Sequence, residues 1–420
     1  MDGQSRSARS SSAARFLLIL VGAAFLLLVG FGGGVAAMWV LGPDIKGLVA
    51  TTQPQPTIAD EQEIAIGEQL GLLEQIWDIL QAEYISPEQI NSQEMVHAAA
   101  AGFVSALGDP HTAFVEPVRA AIIEEDMQGS FEGIGATVEM REGVLTIVRP
   151  LPNSPAVRAG IEAGDQVLEV DGRSLEGLDI MEAITLIRGP RGTEVRLLLQ
   201  REGIAEPFLV TVTRDRIEVQ ITEARMLEGD IAYLSLSEFN ALSTQQVRAD
   251  LRELMRQNPK GLVLDLRNNP GGYLQMAIEI ASEFLPRGTL VVTEAERGEQ
   301  NRELRATRGG QALQVPLAVL VNGGSASASE IVAGAIQDHG RGALVGEITF
   351  GKGSVQHTHT LSDGSSLRVT IARWVLPGGR ILNGDGLEPD VVVSTTPDEV
   401  AEGRDVQLER AVEYLLQNQP

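Results

Sequence analysis

From Ile217 onward, short apolar runs alternate with helical patterns, and two of those runs, GLVLDLRNN and PLAVLVNGG, are apolar at almost every position of their strand portion. A strand with one wet face alternates polar and apolar residues, whereas a strand covered on both faces reads as a continuous apolar run. IAYLSLSEF leads into the helical TQQVRADLRELMRQ, QMAIEIASEFL precedes TLVVTEA, and a helix expected from about Ser327 to Asp338 precedes ALVGE. Strands and helices in alternation predict a mixed α/β fold built on a parallel-rich sheet with helices on both faces. The polar stretch ERGEQNRELRATRGGQ, residues 296–311, reads as an exposed loop or hairpin.

Upstream the pattern changes. Ile66, Leu70, Leu73, Trp77, Leu80 and Tyr84 recur at steps of three and four, one face of a helix. A second helix is expected with Ser86 as N-cap, Pro87 at its first position and Gln89 closing a capping box, running to Gly108. Residues 118–215 carry short alternating strands separated by Gly, Pro, Asp and Asn turns. Within them SPAVRAGIEAGDQVLEVDGRSL, followed by MEAITLIRG as a groove helix, resembles a PDZ domain. Gly133, Ile134, Gly135 and Ala136 stand where such domains place a carboxylate-binding loop, whose backbone N–H groups converge on an anion.

The amino-terminal segment adds a membrane expectation. Residues 16–43 hold no charged side chain, with Arg6, Arg9 and Arg15 before them and Asp44 and Lys46 after. Length and flanking charge predict a transmembrane anchor at 16–42 with a cytoplasmic N-terminus and the rest of the chain extracytoplasmic. Cleavage of that segment as a signal would instead release a secreted form. The remaining layout is a cytoplasmic stretch 1–15, a linker 43–59, a helical region 60–117, the PDZ-like domain 118–215, the α/β core 216–396 and a C-terminal helix 397–420.

A net charge of −24 argues against a nucleic-acid partner, because no basic face is available to displace counterions. With no cysteine, disulfides, thiolate metal sites and cysteine nucleophiles are excluded. The 33 basic residues comprise 30 Arg and only 3 Lys, namely Lys46, Lys260 and Lys352. Arginine cannot give up its proton in a protein, while a desolvated lysine can, so a retained lysine draws notice. Lys352 lies in the glycine-flanked loop Phe350-Gly351-Lys352-Gly353, and Ser327 is expected at a helix N-terminus. That end favours developing negative charge, as attack by a hydroxyl would create. A serine needs a base, and a neutral lysine amine can serve. No G-x-S-x-G motif is present, and the nearest histidine, His339, falls at the far end of the same helix. His357 and His359 form an H-x-H without a third ligand at a convincing spacing.

The motifs LGDPHTAF, LIRGPRGT, LVLDLRNNPGG, SASASEIVAGAIQD, GEITFGKGSVQ and GDGLEPDVVV occur in that order over roughly residues 65–396. With them the chain resembles the carboxyl-terminal processing peptidases, serine peptidases with a Ser/Lys dyad and an inserted PDZ domain. The resemblance implies that Ser327 is the nucleophile, Lys352 the general base and Gln356 the residue that positions the amine. It implies an oxyanion hole made by the N–H groups of Ala328 and Gly271, with Gly272 open as the alternative glycine, and a regulatory role for Arg188. Expected partners are protein substrates with apolar C-terminal tails and, through the N-terminal segment, a lipid bilayer. A homo-oligomer or an adaptor stays open, and neither cofactor nor metal is implied. The rival expectation is a catalytically silent PDZ adaptor that only binds tails.

Overall fold

The computed structural model describes residues 58–418 apart from 297, 299, 300, 308, 383, 397, 398, 400 and 401. Two compact units divide the chain, Met1–Asn91 and Ser92–Pro420. In the first, the expected helix is present as Ile58–Glu83, although Leu70 and Leu73 of its apolar stripe are exposed. The expected second helix starts later than the capping signals suggest. Pro87–Gln89 forms only a 3-10 turn, the Ser86 side chain makes no cap, and Ile90 is extended. The helix proper is Ser92–Ser105, in the second unit. One turn started by Pro87 is not propagated, because Ile90 takes β-region dihedrals and breaks the ladder.

The anchored, extracytoplasmic placement requires correction. Among the described residues no helix is long and apolar enough to cross a membrane. The 26-residue helix Ile58–Glu83 has the length, but Asp60, Glu61, Glu63, Glu68, Glu74, Asp78 and Glu83 recur along it, and each would be costly in hydrocarbon. The apolar run 16–42 itself lies outside the described residues, so neither bilayer contact nor sidedness is carried by this fold.

In the second unit the central sheet runs in the spatial order Thr222–Leu227, Ile231–Leu236, Gly261–Asp265, Leu317–Val321, Ala343–Gly346, Val391–Val392. The first pair is antiparallel and the rest are parallel. Every residue of Gly261–Asp265 and Leu317–Val321 is buried, as their unbroken apolar runs require. Helices Ser243–Met255, Leu274–Ala281 and Ala328–Asp338 cover one face, packing Val247, Leu251, Ile278, Ile331 and Val332 into the main core. Helix Val406–Gln417 covers the other face with Ala411 and Leu415.

A second sheet, not foreseen from the alternation, is antiparallel. Its long strand Ser366–Val375 pairs with Ala113–Val115, Leu290–Glu296 and Ser354–Thr360, and Arg302–Arg305 extends it as the hairpin partner of Leu290–Glu296. LGDPHTAF therefore ends in a strand of this sheet rather than in helix. Asp109 braces that entry by accepting from Thr112 Oγ1 (2.6 Å) and His111 N (3.0 Å). These bonds, first that from Thr112, hold its carboxyl at about 2, below the usual range.

The PDZ domain has its own core, with Leu145, Ile147, Val195, Leu197 and Leu199 among its members. Its sheet runs Ala136–Arg141, Val144–Pro150, Gln166–Val170, Glu194–Gln200, Phe208–Thr213, leaving Ala136–Arg141 as an edge strand. Helix Ile180–Ile187 opens with a full capping box between Asp179 and Glu182. Buried Arg214 closes its far end, donating to the carbonyls of Ile187 (2.8 Å), Leu186 (3.2 Å) and Glu194 (3.0 Å) and to Thr193 Oγ1. Arg214→Ala strands those acceptors in a hole. It should lower PDZ stability by roughly 2–4 kcal/mol in denaturant titration, and a loss under about 0.5 kcal/mol would contradict the capping role.

Candidate active site

Small residues bring three segments together at the C-terminal ends of the parallel strands. The serines of SASAS have different fates. Ser325 is fully buried and donates to Leu266 O (2.8 Å); Ser329, also fully buried, donates to Asn269 O (2.9 Å). Ser327 between them is half-buried and is the residue preceding helix Ala328–Asp338. Its backbone, at φ 54° and ψ −111°, occupies a region that a side chain disfavours by on the order of 1–3 kcal/mol. Strain of that kind is kept where neighbouring contacts over-determine the turn, and here they do. Ala326 N donates to Asn269 O (3.0 Å), Phe350 N to Ser325 O (3.0 Å), and Ser327 N to Glu330 Oε2 (2.8 Å).

The NNPGG loop approaches this turn from strand Gly261–Asp265. Buried Asn269 ties it down by donating to Leu236 O (2.8 Å) and accepting from Gly271 N (2.9 Å). Gly271 touches the Ser327 turn, for a methyl there would stand 2.8 Å from Ala326 O and 2.9 Å from Ala328 N. Its N–H, however, is spent on Asn269. For the N–H groups of Gly272 and Ala328 no acceptor is found among the described residues. At the loop's start Arg267 is held by Asp265, Asp405 and Gln407, and Tyr233 donates to Asp265 (2.9 Å). Tyr233, Asp265, Arg267 and Gln407 line a cavity of about 410 Å³ that Asn268 of the loop also borders. Asp265 is thus structural, with Arg267 as its partner.

Lys352 is half-buried. Burial pushes its ammonium pKa down, the Arg368 charge adds to that, and the Glu330 carboxylate opposes it. Its loop is pinned by its own backbone, with Gly351 N and Lys352 N donating to Glu330 at 2.7 and 2.9 Å. Ser327 Oγ and Lys352 Nζ are not hydrogen-bonded to each other. Gln356 does not meet the lysine amine either; its Nε2 donates to Ser354 Oγ (2.8 Å) and Thr370 Oγ1 (3.4 Å) at a register shift in the strand pairing. Glu330 and Asn269 were not singled out from the sequence. Glu330 carries a signal, the S-x-x-E spacing of a capping box; Asn269 carries none.

In the PDZ domain Ile134 is buried, and the carbonyls of Ile134 and Gly135 accept from Ala156 N (2.8 Å) and Leu151 N (2.9 Å). The Gly133–Ala136 turn leads directly into the edge strand. Arg188, at the end of the groove helix, stacks on the Phe131 ring (4.3 Å) and donates to Asp126 (2.7 Å) and Glu125 (3.2 Å). Those acids end helix Pro117–Met127, which also reaches the start of the groove helix through Arg119 and Asp179. Met127 O accepts from Ala241 N (2.9 Å), so this helix joins the groove to the catalytic core.

The family model of peptidase family S41 matches residues 230–393, and a PDZ-domain model matches residues 146–201. A carboxy-terminal-processing protease of Bartonella bacilliformis is 36% identical over 344 residues, 81% of this chain and 78% of that protein. The chain belongs to the carboxy-terminal processing proteases of family S41. Bacillus subtilis CtpB is 30% identical over 409 residues, covering 96% of this chain and 82% of that protein. A solved Bacteroides fragilis protein assigned to the S41 proteases shares the fold, with a TM-score of 0.52 at 16% identity over 81% of this chain and 96% of that one. The chain is accordingly a serine-type peptidase with a PDZ domain, of the kind that binds peptide C-termini.

Proposed function

We propose that this protease hydrolyses peptide bonds through an acyl-enzyme on Ser327, with Lys352 as general base, and selects substrates by their free C-terminal tails. The observation that carries the catalytic part is the division of labour in SASAS. Both flanking hydroxyls are buried on carbonyls, and the central one is left on a strained, half-buried turn at a helix N-terminus. The lysine amine is the base because burial favours its neutral form. It takes the hydroxyl proton as Ser327 attacks the scissile carbonyl and returns it to the leaving amine. Ala328 N–H and, of the two glycines, Gly272 N–H receive the oxyanion, since Gly271 N–H is committed to Asn269. Gln356, with its nitrogen engaged by Ser354 and Thr370, does not touch the amine at rest; its Oε1 accepts from the lysine ammonium once the site closes. The resting separation of serine and lysine closes on substrate binding, as catalytic hydrogen bonds in unliganded sites often do.

The tail adds as a strand on the open edge Ala136–Arg141, its carboxylate on the Gly133–Ala136 turn. Its apolar side chains face helix Ile180–Ile187. Arg188 sits between that turn and the acids of helix Pro117–Met127, so an arriving carboxylate competes with Asp126 and Glu125 for it. The full chain should cleave an unfolded protein with an apolar free C-terminus about tenfold more efficiently than its amidated twin. Ser327→Ala should bind the free tail undiminished and cleave neither. Equal cleavage of the twins would refute tail selection, and cleavage by Ser327→Ala would refute the nucleophile. Arg188→Ala should erase most of the difference between the twins while leaving the fold intact; an unchanged ratio would remove Arg188 from regulation.

A further inference from the structure

Glu330 is fully buried in the first turn of helix Ala328–Asp338, and its carboxylate accepts four hydrogen bonds from two segments, the Ser327 turn and the loop 349–352. Oε2 takes Ser327 N (2.8 Å) and Lys352 N (2.9 Å). Oε1 takes Thr349 Oγ1 (2.5 Å) and Gly351 N (2.7 Å). Thr349 Oγ1 in turn accepts from Leu387 N (2.7 Å), which leaves its proton for Glu330. A carboxylate offers about four lone-pair sites, and all four are filled by donors. A helix-capping glutamate would need only the bond to Ser327 N. The bonds to Gly351 and Lys352 reach across 21 and 22 residues to the loop that carries the amine.

We infer that Glu330 is a positioning residue for the reaction, a rigid link that, beside the Phe350 N–Ser325 O bond, holds the backbones of the Ser327 turn and the Lys352 loop in place while their side chains close on substrate. The inference rests on the Ser327/Lys352 assignment. Glu330 touches neither substrate nor the reacting atoms; it acts through the backbones on either side of them. It has a second effect, because its charge faces the lysine amine. Among the described residues the other charge acting on that amine is Arg368, on strand Ser366–Val375. Glu330 favours the ammonium, so it moves the onset of activity to higher pH than Arg368 and burial alone would set.

The test is kcat and KM against pH for the full chain with a tail-bearing peptide substrate. Glu330→Gln keeps the shape but replaces one acceptor oxygen by an NH2 donor, so two of the four bonds are lost and the Lys352 loop is loosened in either orientation of the amide. A displacement of about 1 Å at a catalytic group can cost about 10²-fold. We expect kcat to fall by about 10²-fold or more with KM within about threefold, and the acid limb of the kcat profile to move to lower pH. Glu330→Asp keeps the charge but shortens the reach; it should lose kcat similarly with the limb unmoved. A purely structural role would lower the melting temperature and the amount of active enzyme without moving the limb. Thr349→Val removes one donor and covers the case in which Glu330→Gln does not fold; kcat should fall about tenfold at constant KM. A folded Glu330→Gln with kcat within threefold of the parent, or an unmoved limb, overturns the inference, as does normal kcat in Thr349→Val. Activity retained by Ser327→Ala or Lys352→Ala would instead overturn the assignment beneath it.

Discussion

Lys352→Arg should abolish peptide cleavage as completely as Ser327→Ala, a loss of at least about 10³-fold in kcat/KM, although it preserves charge and most of the volume. A guanidinium stays protonated in any protein environment and has no lone pair to accept the serine proton. The site works against protonation of the lysine, since burial and Arg368 both depress its pKa and only Glu330 opposes them. The sign for pH follows. In the proposed mechanism the neutral amine is the active form, so activity should be lost as pH falls through the depressed pKa and reach its plateau above it. The same burial makes the arginine variant costly, because a larger permanent cation must occupy a half-desolvated site. Denaturant titration belongs beside the kinetics for that reason. More than about a tenth of parental kcat/KM in a folded Lys352→Arg would exclude the lysine as base. A chain that only bound tails would be indifferent to both substitutions.

How much of this was legible beforehand depended on the range of the interactions. The strands Gly261–Asp265 and Leu317–Val321 announced themselves because burial on both faces is written position by position. The PDZ turn and groove helix were equally local. The antiparallel sheet around Ser366–Val375 was not, because its pairs, such as Ala113 with Arg368, are brought together by topology rather than by periodicity. Ser86 and Pro87 signalled a helix start and did start a turn, but the signal does not say whether the turn propagates. In this region Lys352 stood out as one of only three lysines in a glycine-flanked loop, and Ser327 by its place at an expected helix start and by the family resemblance. The residues that join them did not. Asn269 reaches Ser329 across 60 positions and Glu330 reaches Lys352 across 22, and no local pattern records such contacts.

The NNPGG loop, the proposed oxyanion loop, gives the other large expected effect, and it separates two neighbouring glycines. Both hold positive φ, 101° at Gly271 and 142° at Gly272, so a side chain is strained at either. What each methyl would strike differs. At Gly272 it would lie 2.3 Å from Phe239 O, in the bridge where Phe239 N donates to Gly271 O (2.8 Å) and Tyr273 N to Phe239 O (2.7 Å). Gly272→Ala must therefore part the loop from its neighbour, at roughly 1–3 kcal/mol for overpacking, and move the proposed donor. A displaced oxyanion donor costs about 10²–10³-fold in kcat. At Gly271 the methyl would press on Ala326 O and Ala328 N, the turn that carries Ser327. Gly271→Ala should thus lose kcat by a comparable factor while its unfolding midpoint moves less than that of Gly272→Ala. Kinetics and thermal unfolding of the two variants side by side decide the matter. If Gly271→Ala keeps full kcat, the loop does not lie against the reacting serine as drawn. If Gly272→Ala loses stability but keeps kcat, the second oxyanion donor is not Gly272 N–H.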